Sequence, residues 1–204
     1  MAGIDFFFVI AILLVSVVLH ELAHGYTALK LGDPTALYAG RLTLNPLKHI
    51  DPFGSLVLPV IGYLLGGFII GWAKPVPFNP YNLQAGRWGE AIVAAAGPIS
   101  NIIIAIIFTV FLRYGGGLGT GFVDIVSYIV LINVVLACFN LIPIPPLDGS
   151  KIVFAFLPLP FVYKYRMALE SYGIFLAIAV LFVVWPLAFP LVLKVFGLLT
   201  GIPV

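Results

Sequence analysis

Only three histidines occur in the 204 residues, and two of them bracket an acid in His20-Glu21-Leu22-Ala23-His24. The pattern is H-E-x-x-H. On a helix, at about 100° per residue, His20 and His24 lie about 40° apart and about 6 Å along the axis. Both imidazoles can then reach one tetrahedral zinc, and Glu21, on an adjoining face, can act as base toward a water activated there. Two other readings compete: chance, and a hydrogen-bonded knot that only packs helices. Chance is a poor account, because two of three histidines and one of eight acids share five positions.

A catalytic zinc needs a third protein ligand and an open fourth position. The candidates are the remaining acids and His49. Asp5, Asp33, Glu90, Asp124 and Glu170 fall at the ends of apolar runs or in polar stretches and read as solvated surface. Asp148 differs. It closes Asn140-Leu-Ile-Pro-Ile-Pro-Pro-Leu-Asp148-Gly149, between apolar segments. Prolines unwind the chain there, and non-helical backbone at membrane depth is tolerated only where protein buries it or a wet cavity adjoins it. A carboxylate held there without a cation is costly; the competing reading is an exposed Asp-Gly turn. His49, in Asn45-Pro-Leu-Lys-His-Ile-Asp-Pro52, could contact substrate or stabilise an oxyanion. A lone histidine carries no motif, so a turn cap beside Asp51 is the favoured reading.

The elements that must hold these residues are membrane helices. The chain is 62% hydrophobic and 9% charged, whereas soluble domains run about 25% charged. With a net charge of +2, no basic run and a single cysteine, Cys138, nucleic-acid binding, a disulfide framework and a cysteine zinc cluster are all excluded. The expectation is an all-α polytopic membrane protein, one domain over residues 1–204, with about four to six transmembrane or re-entrant segments. The first run has no basic residues before it and no cleavage site after it, unlike a signal peptide. It reaches spanning length only by including His20–Tyr26, so it carries its polar residues inside the bilayer. Thr35–Leu44 reads as a short β-hairpin around Gly40. Ala91–Leu112 and Phe122–Ile142 read as spans, Leu147–Phe161 as a shorter apolar piece, and Ser171–Leu199 as a last span interrupted by Pro186 and Pro190. Trp72, Tyr81 and Trp88 suit an interfacial belt.

The segments His20–Ala36, Gly40–Leu58, Gly71–Leu83, Ala96–Asn101 (AGPISN) and Phe139–Ile152 (FNLIPIPPLDGSKI) together resemble the site-2 proteases, in the compact branch without PDZ or CBS domains. The resemblance implies intramembrane zinc metalloproteases, with one zinc per chain on His20, His24 and Asp148. It implies Glu21 as catalytic base and Asn140 close to the metal. One departure is Gly149-Ser150-Lys151, where the family has Gly-Gly-Arg; these positions are not ligands. The implied partners are a membrane-protein substrate and the bilayer itself. An intact helix hides its carbonyls in internal hydrogen bonds, so the substrate must unwind, and a strand at Thr35–Leu44 could receive it by β-augmentation. A non-proteolytic zinc-binding membrane protein (a transporter or an inactive relative) is the alternative, and a structural membrane module is a third reading.

A shared zinc also constrains topology. The first span and Phe122–Ile142 must run in the same direction, so one of the two apolar stretches between them should not cross. Phe53–Gly71, with Pro59 and five glycines, is expected to be re-entrant. Lys30, Arg41 and Lys48 then share the motif's side, which the positive-inside rule makes cytoplasmic in a prokaryotic cell membrane.

Overall fold

The computed structural model describes residues 4–51, 54, 57, 73–115, 119–158, 160–162, 166, 169 and 171–202. Helix α1 covers Ile4–Lys30, α2 Thr35–Tyr38, α3 Arg87–Tyr114, α4 Thr120–Asn140, α5 Asp148–Phe156, α6 Gly173–Ala179 and α7 Trp185–Thr200. Among the described residues four helical stretches are long and apolar enough to cross a bilayer: Phe8–Lys30, Arg87–Tyr114, Thr120–Asn140 and Phe182–Thr200.

Local chemistry sets the breaks. Helix α1 ends where Gly32 adopts φ +100°. The Gly32 N–H returns to Leu29 O and the Asp33 N–H to Ala28 O, a Schellman closure that leaves Pro34 to start the next turn. The β-hairpin expected over Thr35–Leu44 is not formed. Thr35–Tyr38 is one turn of helix, closed by Gly40 at φ +62°, and no strand occurs among the described residues. The β-branched and aromatic residues there had no partner strand, and local i→i+4 bonds won. The interruption expected at Pro186 is softer than a break. A wide π-helical turn over Val180–Val184 precedes it and gives the ring space, so the helix runs on through Pro190.

Side-chain contacts fix the helix directions. Going down α1 from Ser16 to His24, the partners on α4 and beyond progress from Asn133 to Asp148, so α1 and α4 run parallel. Along α3 the order is reversed: Val93 meets His24, and Asn101 meets His20 and Asn133. Arg113 near the end of α3 donates to the Leu198 and Leu199 carbonyls of α7, and Phe139 of α4 packs on Trp185, so α7 runs with α3. The parallel run of α1 and α4 is the relation a shared site requires. The Phe53–Gly71 stretch lies outside the described residues, apart from positions 54 and 57. Its flanks do not: the Lys74 N–H donates to His49 O at 2.8 Å, and Gln84 N–H to Leu31 O at 2.8 Å. The chain that leaves α1 is therefore at the same end of the bundle as the chain that enters α3.

Polarity is inverted relative to a soluble protein. Ser16, His20, His24, Asn101, Asn133 and Asp148 are buried, while Leu13, Val15, Ile99, Ile103, Ile106, Phe111, Leu187 and Leu191 are exposed. Ala105, Val130, Val134, Val192 and Phe196 fill the remaining core between α3, α4 and α7. Tyr81 and Trp88 are exposed near the start of α3, as an interfacial belt requires; Trp72 lies outside the described residues.

Candidate metal centre and catalytic cavity

His20 and His24 lie one turn apart on α1, and neighbouring helices orient each ring. The His24 Nδ1–H donates to the Val93 carbonyl at 2.7 Å. The His20 Nδ1–H donates to Asn101 Oδ1 at 2.6 Å, and the Asn101 amide in turn donates to Asn133 Oδ1 at 2.8 Å, which fixes the carboxamide orientation. Asn133 donates onward to Ser16 Oγ at 2.9 Å and to Ile129 O at 2.8 Å. With both protons on Nδ1, the two Nε2 lone pairs face inward. Bonds of this kind to the outer imidazole nitrogen orient metal-ligating histidines and raise their basicity.

The inward atoms form a triangle. His20 Nε2 and His24 Nε2 are 3.0 Å apart, and each lies 3.2 Å from Asp148 Oδ2. With the ring protons on Nδ1 these are three acceptors, all on buried residues. Tetrahedral ligands about 2.0–2.1 Å from a zinc would be separated by about 3.3–3.4 Å, so the donor set fits such an ion closely. Asp148 reaches this point because α4 ends at Asn140 and the chain passes through an irregular segment to α5, whose first residue is Asp148. Gly149 allows it: a methyl there would collide with the Leu141 carbonyl oxygen and lie 2.6 Å from Ile142 O.

Glu21 faces the same cavity, and one of its oxygens accepts the Val76 N–H at 2.7 Å. Val76 belongs to the extended segment 73–79, which crosses the site and is tied down along its length. Asp33 accepts from Asn79 N–H at 2.6 Å, from Asn82 Nδ2 at 2.8 Å, and from both the hydroxyl and the N–H of Thr35. Burial pushes the Asp33 carboxyl up, but these hydrogen bonds outweigh it and hold it below the usual carboxylate range. Asp33 is thus a fully buried hub, not the solvated loop acid expected from the sequence. Glu90 is likewise engaged, in a bidentate pair with Arg166 at 2.7 and 3.0 Å.

The cavity has a volume of about 160 Å³ and is lined by His20, Glu21, His24, Pro75, Val76, Phe78, Ala94, Asn140, Pro146, Asp148 and Lys151. At about 30 Å³ per water, it can hold several. Asn140 stands on its wall, its amide donating to Leu136 O at 3.0 Å. His49 lies outside this cluster. It is buried, and its Nε2–H donates to Thr43 O at 2.9 Å. Sequence reasoning gave no role to Asn101, Asn133, Gly97 or Val76. The two asparagines had a signal: amides inside apolar runs need partners. Gly97 lies within the AGPISN segment but nothing there pointed to the histidines, although a methyl on it would lie 2.5 Å from both rings.

The family model for peptidase family M50 matches residues 8–119 and 117–184. The chain is 40% identical to the Bacillus subtilis protein named "Putative zinc metalloprotease YwhC", over 88% of this chain and 85% of that one. It is 36% identical to the Mycolicibacterium smegmatis protein named "Putative zinc metalloprotease Rip2", over 71% of this chain and 55% of the relative. A third similar protein, "Zinc metalloprotease MJ0392" of Methanocaldococcus jannaschii, is 30% identical over 72% of this chain and 33% of its own length. No solved structure matches. A match across most of the chain, an H-E-x-x-H helix and four apolar helices lead to one assignment: the chain belongs to peptidase family M50, the site-2 proteases.

Proposed function

We propose that this chain is an intramembrane zinc metalloprotease that hydrolyses peptide bonds in or near transmembrane helices of membrane-protein substrates. The observation that carries the reading is the inward triangle of His20 Nε2, His24 Nε2 and Asp148 Oδ2, with Glu21 on the same small cavity. His20, His24 and Asp148 would hold one zinc, which supplies Lewis-acid activation of water and of the scissile carbonyl. Glu21 takes the proton of the attacking water and returns it to the leaving amine. The Val76 N–H holds one carboxylate oxygen in place, and the other remains for that proton. Asn140, which also lines the cavity, orients the water or the oxyanion by its carboxamide. His49, buried outside the cavity with its Nε2–H on Thr43 O, serves the turn rather than the substrate.

The site end of the bundle carries Lys30, Arg41, Lys48, Lys74, Arg87, Lys151 and Arg166, against Arg113 and Lys194 toward the other end, among the described residues. By the positive-inside rule that end faces the cytoplasm of a prokaryotic cell. Retention of Glu21 favours hydrolysis over a purely zinc-binding role, since binding alone does not require it. The test is cleavage of a helical membrane peptide by purified protein in liposomes. Wild type should cleave. Glu21→Gln should keep its metal and lose about 10²–10⁴-fold in rate; equal rates would remove Glu21 from the mechanism.

A further inference from the structure

A second cavity lies on the same end of the bundle, sharing only Pro75 with the catalytic one among their lining residues. It has a volume of about 520 Å³ and its walls include Arg41, Lys48 and Lys74, with Ala39, Leu47 and Ile50 among the rest. No acid lines it. Asp51, which follows Ile50 in sequence, accepts the Gly54 N–H at 2.7 Å. The decisive residue is Arg41. It is only 8% exposed, yet among the described residues no carboxylate pairs with it. One of its nitrogens makes two long bonds, to Lys74 O at 3.4 Å and to Pro75 O at 3.3 Å. A guanidinium offers five donors in a planar fork suited to a phosphate or carboxylate. Leaving it buried and unpaired is costly.

We propose that this cavity is a phosphate-binding site in which Arg41 makes the bidentate contact and Lys48 and Lys74 complete the charge. Its surroundings favour the phosphodiester of an anionic membrane lipid. Leu37, Tyr38, Leu44 and Leu47 are large apolar side chains exposed close to it in the chain, placed to meet acyl chains while the cations meet the headgroup. The site stands whether or not the chain is a protease.

The test uses the purified full chain in nanodiscs of phosphatidylcholine alone or with phosphatidylglycerol, and in detergent with inorganic phosphate. Native mass spectrometry counts retained lipid, and thermal unfolding reads stabilisation. Wild type should retain phosphatidylglycerol and unfold at higher temperature with it. Lys48→Ala/Lys74→Ala, which leaves Arg41 in place, should bind it at least about tenfold more weakly. Arg41→Gln should lose it, provided circular dichroism shows native helix content. If inorganic phosphate stabilises the wild type as much as the lipid does, and the double variant loses this, the site is upheld with a soluble phosphate as its source. Equal retention by wild type and the double variant, or no preference for phosphatidylglycerol over phosphatidylcholine together with no effect of inorganic phosphate, overturns the proposal.

Discussion

Gly97→Ala is the smallest change that should empty the metal centre. Gly97 lies on the face of α3 that packs against α1, and a methyl there would be 2.5 Å from His20 Cε1 and Nε2 and from His24 Cε1. Ordinary contact begins near 3.4 Å, so each ring must retreat by about 0.9 Å or the helices must part. Neither is cheap, because Asn101 and the Val93 carbonyl hold the rings from the same helix that carries the new methyl. Metal–ligand distances tolerate about 0.2 Å, and a misplacement of about 1 Å costs on the order of 10²-fold in rate, or about 2.7 kcal/mol of barrier. The helix itself does not suffer, since alanine is the better helix former by about 1 kcal/mol. The assay is zinc content per chain with peptide cleavage in liposomes, and circular dichroism to show that the helices persist. Gly121→Ala, where a methyl meets nothing within 4 Å, is the control. Full zinc occupancy in Gly97→Ala with turnover within twofold of wild type would refute the argument.

His24→Ala and Asp148→Ala should each abolish stoichiometric zinc in metal analysis, because two remaining donors cannot hold an ion with an open position; full occupancy in Asp148→Ala would move the third ligand elsewhere. Asn101→Leu should leave the fold intact and weaken zinc by about 10–100-fold, since it removes the acceptor for His20 Nδ1–H; a competition titration with a chelating dye reads this. The Asp33 carboxyl is held below its ordinary 3.8, so its contribution to stability is present above that pH and is lost as pH falls through its lowered folded value. The thermal midpoint of wild type should therefore drop along an acid limb that Asp33→Asn flattens, and parallel limbs in the two proteins would exclude Asp33 as its source.

What could be read in the sequence and what could not divides along physical lines. The H-E-x-x-H turn was legible because 3.6-residue periodicity alone brings its two rings to one face, whatever the rest of the molecule does. Asp148 was legible more weakly, from the cost of an unpaired carboxylate beside three prolines. The parallel run of α1 and α4 followed from requiring both to reach one ion. The hairpin over Thr35–Leu44 was misread because strand propensity describes how side chains fit a pleated surface, and no neighbouring strand supplied one. Asp33 was misread as solvated because its four donors come from Thr35, Asn79 and Asn82, and those at 79 and 82 are nearly fifty residues away. The role of Gly97 could not be read for the same reason: its smallness matters only to rings carried by another helix.

The chain from His20 through Asn101 and Asn133 to Ser16 links three spans across the bundle interior. Measured hydrogen bonds between membrane helices average about 0.6 kcal/mol, so three of them add little to stability. Their effect is on orientation. The Asn133 amide gives both its N–H groups to acceptors, which turns its oxygen to the Asn101 amide, and that in turn presents Asn101 Oδ1 to His20. The imidazole is left with its proton outward and its lone pair toward the cavity before any ion arrives. Val93 does the same for His24 with a carbonyl that can only accept. A site assembled in this way has little ring reorientation left to do when zinc binds. Sliding α3 by one residue against α1 would also break both rings' bonds together, so the contacts that orient the histidines fix the register of the helices that carry them.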